Sequence, residues 1–349
     1  LRLKETKSTQ SIRLGLHYDD LFRSAGLVNF TKKSLLFDND ITSLDVVLGD
    51  NLRYDFNYYI DKGFYWSVGL SSTYFSFEKG VSARLVEQVT DVDLATLSRV
   101  TLDYQDLTNK LYFRTLFAKD FSLDLGVKHQ FLDVETETVE DDDIDQPGFV
   151  FEKSHFAGAF GQIKYDSLDN KFFPSSGVYF DGDFDLYLYS SDFNQDFTEF
   201  SIANMEFLYA QKIASSLTGR IGLEGGFKIG GADINSLDFF LGGFGNKKVN
   251  NIVPFYGYDF LSITGDGYVK ADFALDYEVF KKNHLSLAAN FANAGLNIFT
   301  SEKFLPPPEY SGYAIGYGLE TILGPIELKY SFSPEVDVGE WFVRVGFSF

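Results

Sequence analysis

The sequence predicts an all-β protein: a 16-stranded antiparallel transmembrane β-barrel whose long extracellular loop folds into the lumen. Three observations carry this. In the last stretch Ile326, Leu328, Tyr330 and Phe332 alternate with Glu327, Lys329 and Ser331. After a polar turn, Trp341, Val343, Val345, Phe347 and Phe349 alternate with Phe342, Arg344, Gly346 and Ser348. Period-two alternation gives a strand two different faces, here one apolar for lipid and one polar or small for a lumen. The chain also holds 38 Phe and 21 Tyr, a content that suits interfacial girdles. Finally, the connections are short on one side and long on the other, an asymmetry of outer-membrane barrels.

The same alternation recurs upstream in segments of about ten residues, the length a tilted strand needs to cross a bilayer. Phe121, Leu123, Leu125, Val127 and Phe131 alternate with Ser122, Asp124, Gly126, Lys128 and Gln130. Phe180 and Phe184 alternate with Asp181, Asp183 and Asp185. Val269, Phe273 and Leu275 alternate with Lys270, Asp272 and Asp276, ahead of Glu278, and Tyr313, Ile315, Tyr317 and Leu319 with Gly316, Gly318 and Glu320. The charged parity is expected to line the lumen, because Lys or Arg on the lipid face costs about 2–4 kcal/mol near the midplane.

Counting back from Phe349 as a periplasmic end places strands near 339–349, 324–333, 310–322, 283–297, 264–280, 214–230, 196–211, 176–190, 153–167, 120–135, 108–118, 64–78, 51–60, 40–49, 23–31 and 11–18. Short turns are expected at 60–63, 118–120, 211–212, 281–283 and 323–325. Long connections are expected at 79–107, 134–152, 231–263 and 297–310. Residues 1–349 then read as a single barrel domain, with the 231–263 loop in its lumen.

Composition narrows the function classes. No run of about 18 apolar residues occurs, which excludes a transmembrane helix. Absent Cys excludes a disulfide scaffold and thiol chemistry, and the net charge of -20 argues against nucleic acid. The start Leu-Arg-Leu-Lys, with neither Met nor a signal-peptide core, reads as a mature product or a fragment.

Three stretches resemble the BamA-like outer-membrane barrel superfamily. Residues Tyr165-Asp166-Ser167-Leu168-Asp169-Asn170-Lys171-Phe172-Phe173-Pro174-Ser175-Ser176-Gly177 resemble its periplasmic turn, and the strand count places them on that side. The tail, with Gly316-Tyr317-Gly318, Gly324-Pro325-Ile326-Glu327, Trp341 and Phe349, is similar to the superfamily's. In the 231–263 loop, Leu241-Gly242-Gly243 precedes Pro254-Phe255-Tyr256-Gly257-Tyr258. The superfamily's loop folds into the barrel and carries Val/Ile-Arg-Gly-Phe/Tyr; here the Arg position is Tyr256. This departure looks more like the barrels of patatin-like (type Vd) autotransporter proteins. The resemblance implies localisation in the bacterial outer membrane, with lipids, the barrel assembly machinery and a passenger domain or envelope-complex subunits as partners. It also implies that Trp341, Val343, Val345, Phe347 and Phe349 form the assembly signal.

Candidate sites follow. Gly242, Gly243, Pro254, Phe255, Tyr256, Gly257 and Tyr258 form the lumen loop motif, read either as a plug or as a gate, with Tyr256 expected near Asp272 or Asp276. Asp141, Asp143, Asp145 and Glu152 fall at positions 1, 3, 5 and 12 of a calcium-loop pattern, but Gln146 stands where that pattern needs Gly. A solvated loop and a weak cation site are the two readings. Gly-x-Ser-x-Gly does not occur, and the four His show no metal-ligand spacing. No catalytic residue and no cofactor is assigned. The expected function is anchor and translocator, as the membrane domain of a patatin-like protein. The alternatives are an assembly, insertion or export factor, and a plugged pore or structural subunit of an envelope complex.

Overall fold

Alternation along the chain produces sixteen strands, each paired antiparallel with the next, in a computed structural model. They are β1 (Gln10–Asp19), β2 (Arg23–Lys33), β3 (Asp40–Gly49), β4 (Arg53–Ile60), β5 (Ser67–Ser82), β6 (Arg99–Ala118), β7 (Phe121–Thr136), β8 (Val150–Asp166), β9 (Gly177–Ser190), β10 (Phe200–Ala214), β11 (Leu217–Ile229), β12 (Gly267–Phe280), β13 (Asn283–Gly295), β14 (Tyr310–Thr321), β15 (Gly324–Ser333) and β16 (Val336–Val345). The structure describes residues 9–19, 23–62, 66–82, 99–118, 120–136, 139–141, 144–146, 149–191, 193–194, 196–230, 234–243, 250–299, 301, 304, 307–322 and 324–346. Among them no helix is long and apolar enough to cross a membrane.

The ring follows sequence order, and β1 meets β16 to join it. Among the described residues that joint shows one pair, Tyr18 with Val345. The β15–β16 pair next to it runs from Ile326–Val345 to Ser333–Val336, with a register shift between Ser331 and Ser333. Ile12, Leu14 and Leu16 of β1 are exposed on the outward parity.

The parity rule holds in the membrane zone. Phe184, Phe273, Leu275, Leu125, Val127 and Ile315 face outward, while Asp124, Lys270 and Asp276 are buried inward. Aromatics pack across strands on the outer face, as in Tyr330 tilted against Trp341 at 5.0 Å and Tyr313 stacked on Phe332 at 5.5 Å.

Three expected connections are corrected. Strand covers much of 79–107, because β5 runs to Ser82 and β6 begins at Arg99. Likewise β7 and β8 extend into 134–152, and Val139–Asp141 pairs with Ile144–Gln146 between them. Lys212 lies within β10, so that turn falls at 215–216. The extended strands project beyond the hydrocarbon on the long-loop side, where the facing rule inverts. There Phe77, Val81, Val100, Leu102, Tyr104, Leu132 and Val134 point inward and are buried. Polar Thr101, Asp103 and Gln105 take the outward parity, facing water rather than lipid.

Candidate functional site

The inverted upper wall encloses the chain between β11 and β12. After Ile234 a 3₁₀ turn, Asn235–Leu237, leads into Phe239–Leu241. That short strand pairs parallel with Ile252–Val253 and antiparallel with Ile263–Gly265. The result is a three-stranded sheet inside the barrel, distinct from the wall. Phe239, Leu241, Val253 and Phe255 are 0% exposed and share one apolar core with Phe77, Val81, Leu132 and Phe156 of the wall.

The two halves of the loop motif meet in this sheet. Gly242 N–H donates to the Val253 carbonyl at 3.1 Å, Gly243 N–H to Tyr258 at 2.8 Å, and Phe255 N–H to Gly243 at 3.0 Å. Gly257, with φ 77°, lies against β15, where a Cβ would come within 2.3 Å of the Phe332 carbonyl carbon. Only glycine adopts this conformation at that distance. Small residues on the inner face of β14 receive the segment: a Cβ on Gly312 would meet the Tyr256 carbonyl oxygen at 2.1 Å.

Polar anchors tie the sheet to the wall on several sides. Ser236 Oγ donates to Glu152 Oε2 at 2.8 Å, and Asn194 Nδ2 to Glu152 Oε1 at 3.1 Å. Asn250 Nδ2 donates to Asp106 Oδ2 at 3.0 Å, and Lys270 Nζ to the Pro254 carbonyl at 3.1 Å. Lys228 pairs with Asp238, Arg99 with Asp259 at 2.6 Å, and Tyr258 donates to Glu335 at 3.2 Å. Buried polar groups left without partners would be costly, so these contacts are what lets a polar wall accept an apolar insert.

Tyr256 points the motif at a charged floor. Burial, and then the Asp272 carboxylate, push its hydroxyl up to about 12. Of its two expected neighbours, Asp272 acts on it by charge. Asp276 is engaged by His284 at 2.7 Å and Arg220 at 3.6 Å. The wall supplies cations here: Lys270 lies 2.7 Å from Glu224 and 3.5 Å from Asp272, while Lys329 and Arg344 flank Glu327 at 3.0 and 3.5 Å. An Arg at position 256 would add a further positive charge to this group.

The turn between β8 and β9 reaches the same floor from the short-turn side. Asp169 receives the N–H groups of Ser175 and Ser176 at 2.8 and 3.1 Å; Asn170 receives those of Phe172 and Phe173 at 2.8 and 3.2 Å. Those bonds shape the turn so that Phe173 stacks on His284 at 4.2 Å, with Phe172 against Arg344 and Asn170 Nδ2 donating to Glu320 at 3.2 Å. Gly318 makes room, since its Cβ would lie 2.5 Å from the Phe173 ring. Against Leu237, Phe239, Asn250 and Asn251 of the insert lies a chamber of ≈ 440 Å³ with a largely polar wall. One wall carries Lys110, Arg114 and Lys128; another carries Asp181, Asp183 and Asp185. Two pairs link opposite charges, Lys128 with Asp185 at 2.6 Å and Arg114 with Asp124 at 2.6 Å.

A sixteen-strand ring, a lumen filled from the β11–β12 connection and a motif turn on the lumen floor come together with a sequence match. The sequence pattern described as the OMP85 superfamily matches residues 1–349. The chain belongs to the OMP85 superfamily. Among solved structures, BamA from Haemophilus ducreyi lacking POTRA domains 1-3 is similar over 98% of this chain and 70% of that one, with TM-score 0.68 and 13% identity. CdiB from Acinetobacter baumannii is similar over 97% of this chain and 60% of that one, with TM-score 0.59 and 12% identity. For CdiB from Escherichia coli the shares are 99% and 64%, with TM-score 0.59 and 10% identity. Such identities express a shared fold. This OMP85 chain thus spans under two thirds of the length of either CdiB structure. No curated protein matches it.

The remaining expected residues of this OMP85 barrel separate. Trp341 is 65% exposed on the outer face and Val343 shares its parity, whereas Phe347 and Phe349 lie outside the described residues. The calcium-loop reading is not brought together. Glu152 is 1% exposed inside the barrel and committed to Ser236 and Asn194. Asp141 and Asp145 lie on the short hairpin, and Asp143 is outside the described residues. Among the described residues no group of three or more metal-ligating side chains occurs. Sequence reasoning missed Glu152, Asp106 and Lys270 as loop anchors, and Phe173 as the floor wedge. The alternation marks Asp106 and Lys270 as inward, but no sequence signal names their partners.

Proposed function

We propose that this chain is an outer-membrane barrel that anchors and translocates a polypeptide, with the 231–266 connection holding its lumen shut until transport. The observation that carries this reading is the docking of that connection: an apolar sheet fixed by separate polar anchors beside a polar chamber of ≈ 440 Å³. A fixed structural core needs no chamber beside it, and an open pore needs no such sheet. The finer reading, the membrane domain of a patatin-like protein, rests on Gly242-Gly243 and on Tyr256 in place of Arg. It expects a lipase-type passenger.

A disulfide lock tests the reading. Ser236→Cys with Glu152→Cys, oxidised, should hold the sheet to β8. A reporter peptide fused ahead of Gln10 should reach externally added protease on intact cells when the pair is reduced, and stay protected when it is oxidised. A reporter that reaches the surface with the lock closed would sink the translocator reading.

One observation favours the second reading, an assembly or export factor: the joint of β1 and β16, which among the described residues shows one pair, Tyr18 with Val345. Stapling it with Tyr18→Cys and Val345→Cys separates the two. Loss of activity on the staple but not on the loop lock would favour insertion through the joint.

A further inference from the structure

The short-turn rim carries an apolar tip that the lumen-based function does not use. Between β2 and β3 the chain presents Leu35, Leu36 and Phe37 in a row, 42%, 70% and 60% exposed. Consecutive apolar side chains held out into water are a fault unless another surface takes them. The backbone beneath them is tightly tied. Ser34, with φ 57°, starts the turn; its N–H donates to the Asp40 carbonyl at 2.9 Å and its hydroxyl to the Asp38 carbonyl at 2.7 Å. The Asp40 carboxylate receives the N–H groups of Leu35, Leu36 and Phe37 at 2.6, 2.7 and 2.8 Å, and the Tyr58 hydroxyl at 2.9 Å. Every backbone N–H from Ser34 to Phe37 thus has a protein acceptor, and Asp40 itself is 1% exposed.

Register sets the direction in which the tip leans. On the buried face of this wall Asn29 pairs with Asp45 and Leu27 with Val47; on the other face Val28 pairs with Val46 and Gly26 with exposed Leu48. Asp40 shares the parity of Val46 and Leu48, the side that faces lipid. Tyr58 lies on the same side, opposite Thr42 of β3. By drawing three amides to its carboxylate, Asp40 folds the tip toward the lipid side of the wall. The next connection on that rim ends in Trp66, 50% exposed on the parity of lipid-facing Leu70. Trp and Tyr collect at the membrane–water interface, so Tyr58 and Trp66 mark that boundary beside the turn.

We propose that this turn is a wedge that inserts Leu35, Leu36 and Phe37 into the lipid leaflet on the short-turn side. The satisfied amides favour lipid over water as its surroundings: water solvates the N–H groups of a turn unaided, whereas in hydrocarbon each unmatched group is costly. Continuity with the lipid-facing wall favours lipid over a protein partner, because the tip extends the outward side of β3 and β4. Exposed Asp38 and Asn39 return the chain with polar groups, so insertion ends at the boundary of headgroups and acyl chains.

Fluorescence quenching tests this. The chain has no Cys, so Leu36→Cys carries a single bimane label, and Lys281→Cys, in an exposed polar turn on the same side, carries the comparison label. In phospholipid nanodiscs both faces stay open to water. There the Leu36→Cys label should resist iodide and be quenched by lipids with a nitroxide near the acyl carbonyl; the Lys281→Cys label should do the reverse. Adding Asp40→Ala frees the three amides and should return the Leu36→Cys label to iodide, with heat-modifiable gel mobility showing that the barrel stays folded. Iodide quenching as strong at Leu36→Cys as at Lys281→Cys would overturn the wedge. Shielding from iodide without quenching by the nitroxide lipid would mean that a protein surface takes the tip, and would overturn lipid as its partner. Nitroxide quenching that persists in folded Asp40→Ala would overturn the carboxylate as the clamp that fits the turn to lipid.

Discussion

The upper and lower halves of one lumen are built on the same inward parity yet have opposite chemistry. On β6 the inward series reads Leu102 and Tyr104 above, then Asp106, Thr108, Lys110 and Arg114 below. On β7 it reads Val134 and Leu132 above, then Gln130, Lys128 and Asp124. Above, the wall faces a folded insert and has become a protein core. Below, it faces water and stays polar. Asp106 marks the change, accepting hydrogen bonds from wall residues Thr108 and Gln130 and from Asn250 of the insert. What lies inside a barrel thus sets the composition of the inner face, and a change of composition along one strand marks where the insert ends.

The largest expected effect tests the upper half. Phe255 is fully buried between the insert and the wall. Phe255→Ala removes most of that side chain and should destabilise the folded barrel by about 3–5 kcal/mol. The urea midpoint of its heat-modifiable gel band would show this, with channel openings appearing in planar bilayers. An unchanged midpoint and a closed lumen would mean that the upper half is not a cohesive core.

This contrast also explains what was legible in the sequence. Strands inside the bilayer obey one rule, apolar out and polar in, and β15 runs from Gly324 to Ser333 as the alternation predicts. Above the bilayer the rule reverses. Val100, Leu102 and Tyr104 turn inward among polar neighbours, so that stretch reads as loop although it is strand. The glycines and aromatics of the loop motif foretold an inward path, because such a segment in water would expose an apolar patch. Its partners were not legible: Ser236 finds Glu152 eighty-four residues away by chain, a pairing set only by the closed ring. The Phe173 wedge stayed hidden for the same reason, since His284 and Gly318 approach it only across the lumen.

A smaller effect is expected where the floor turn meets β14. Gly318→Val places a side chain where the Phe173 ring now lies, and overpacking of this kind costs about 1–3 kcal/mol. The turn should leave its site and become open to protease between 167 and 176, while the upper insert stays protected. The hold should also depend on acid. Burial would raise the Asp169 carboxyl, but hydrogen bonds from Ser175 and Ser176 outweigh it and hold the group below the usual carboxylate range. Its contribution is complete above the ordinary value of about 4 and fades as pH falls through the depressed value. Protection of the turn that fails well above that range would remove Asp169 as the cause.

In the lower half, substitutions should change conduction more than stability. The chamber is lined by Asp55, Asp124, Asp181, Asp183, Asp185, Glu206 and Glu224 against Lys110, Arg114 and Lys128, an excess of four carboxylates. Once residues 244–258 are deleted, the pore should prefer cations, as rings of acidic side chains do. Asp183→Asn in that background should reduce the preference and shift stability by less than about 1 kcal/mol, since the amide retains an oxygen toward Asn204, now 2.8 Å away. Reversal potentials across a salt gradient measure the first, urea midpoints the second. A loss as large as that of Phe255→Ala would make the lower half a packed core too.

A comparably small effect is expected at Glu152, and it separates two roles for one carboxylate. As a calcium ligand it would need its charge and the neighbouring Asp141, Asp143 and Asp145, and EDTA would loosen the loop around Pro147. As an anchor it needs only two acceptor oxygens, for the Ser236 hydroxyl and the Asn194 amide. Glu152→Gln keeps one oxygen and loses the charge. The anchor role therefore predicts a loss of about 1 kcal/mol, the scale of a single hydrogen bond, and no response of the Pro147 region to calcium or EDTA in limited proteolysis. The side chain sits inside the barrel at 1% exposure, so binding an ion from the loop would first require breaking its contacts to Ser236 of the insert and to Asn194 of the β9–β10 connection. Chelation that both raises nicking near Pro147 and releases the upper sheet would show that Glu152 serves the ion, and that the dry half of the lumen is held by calcium rather than by Ser236.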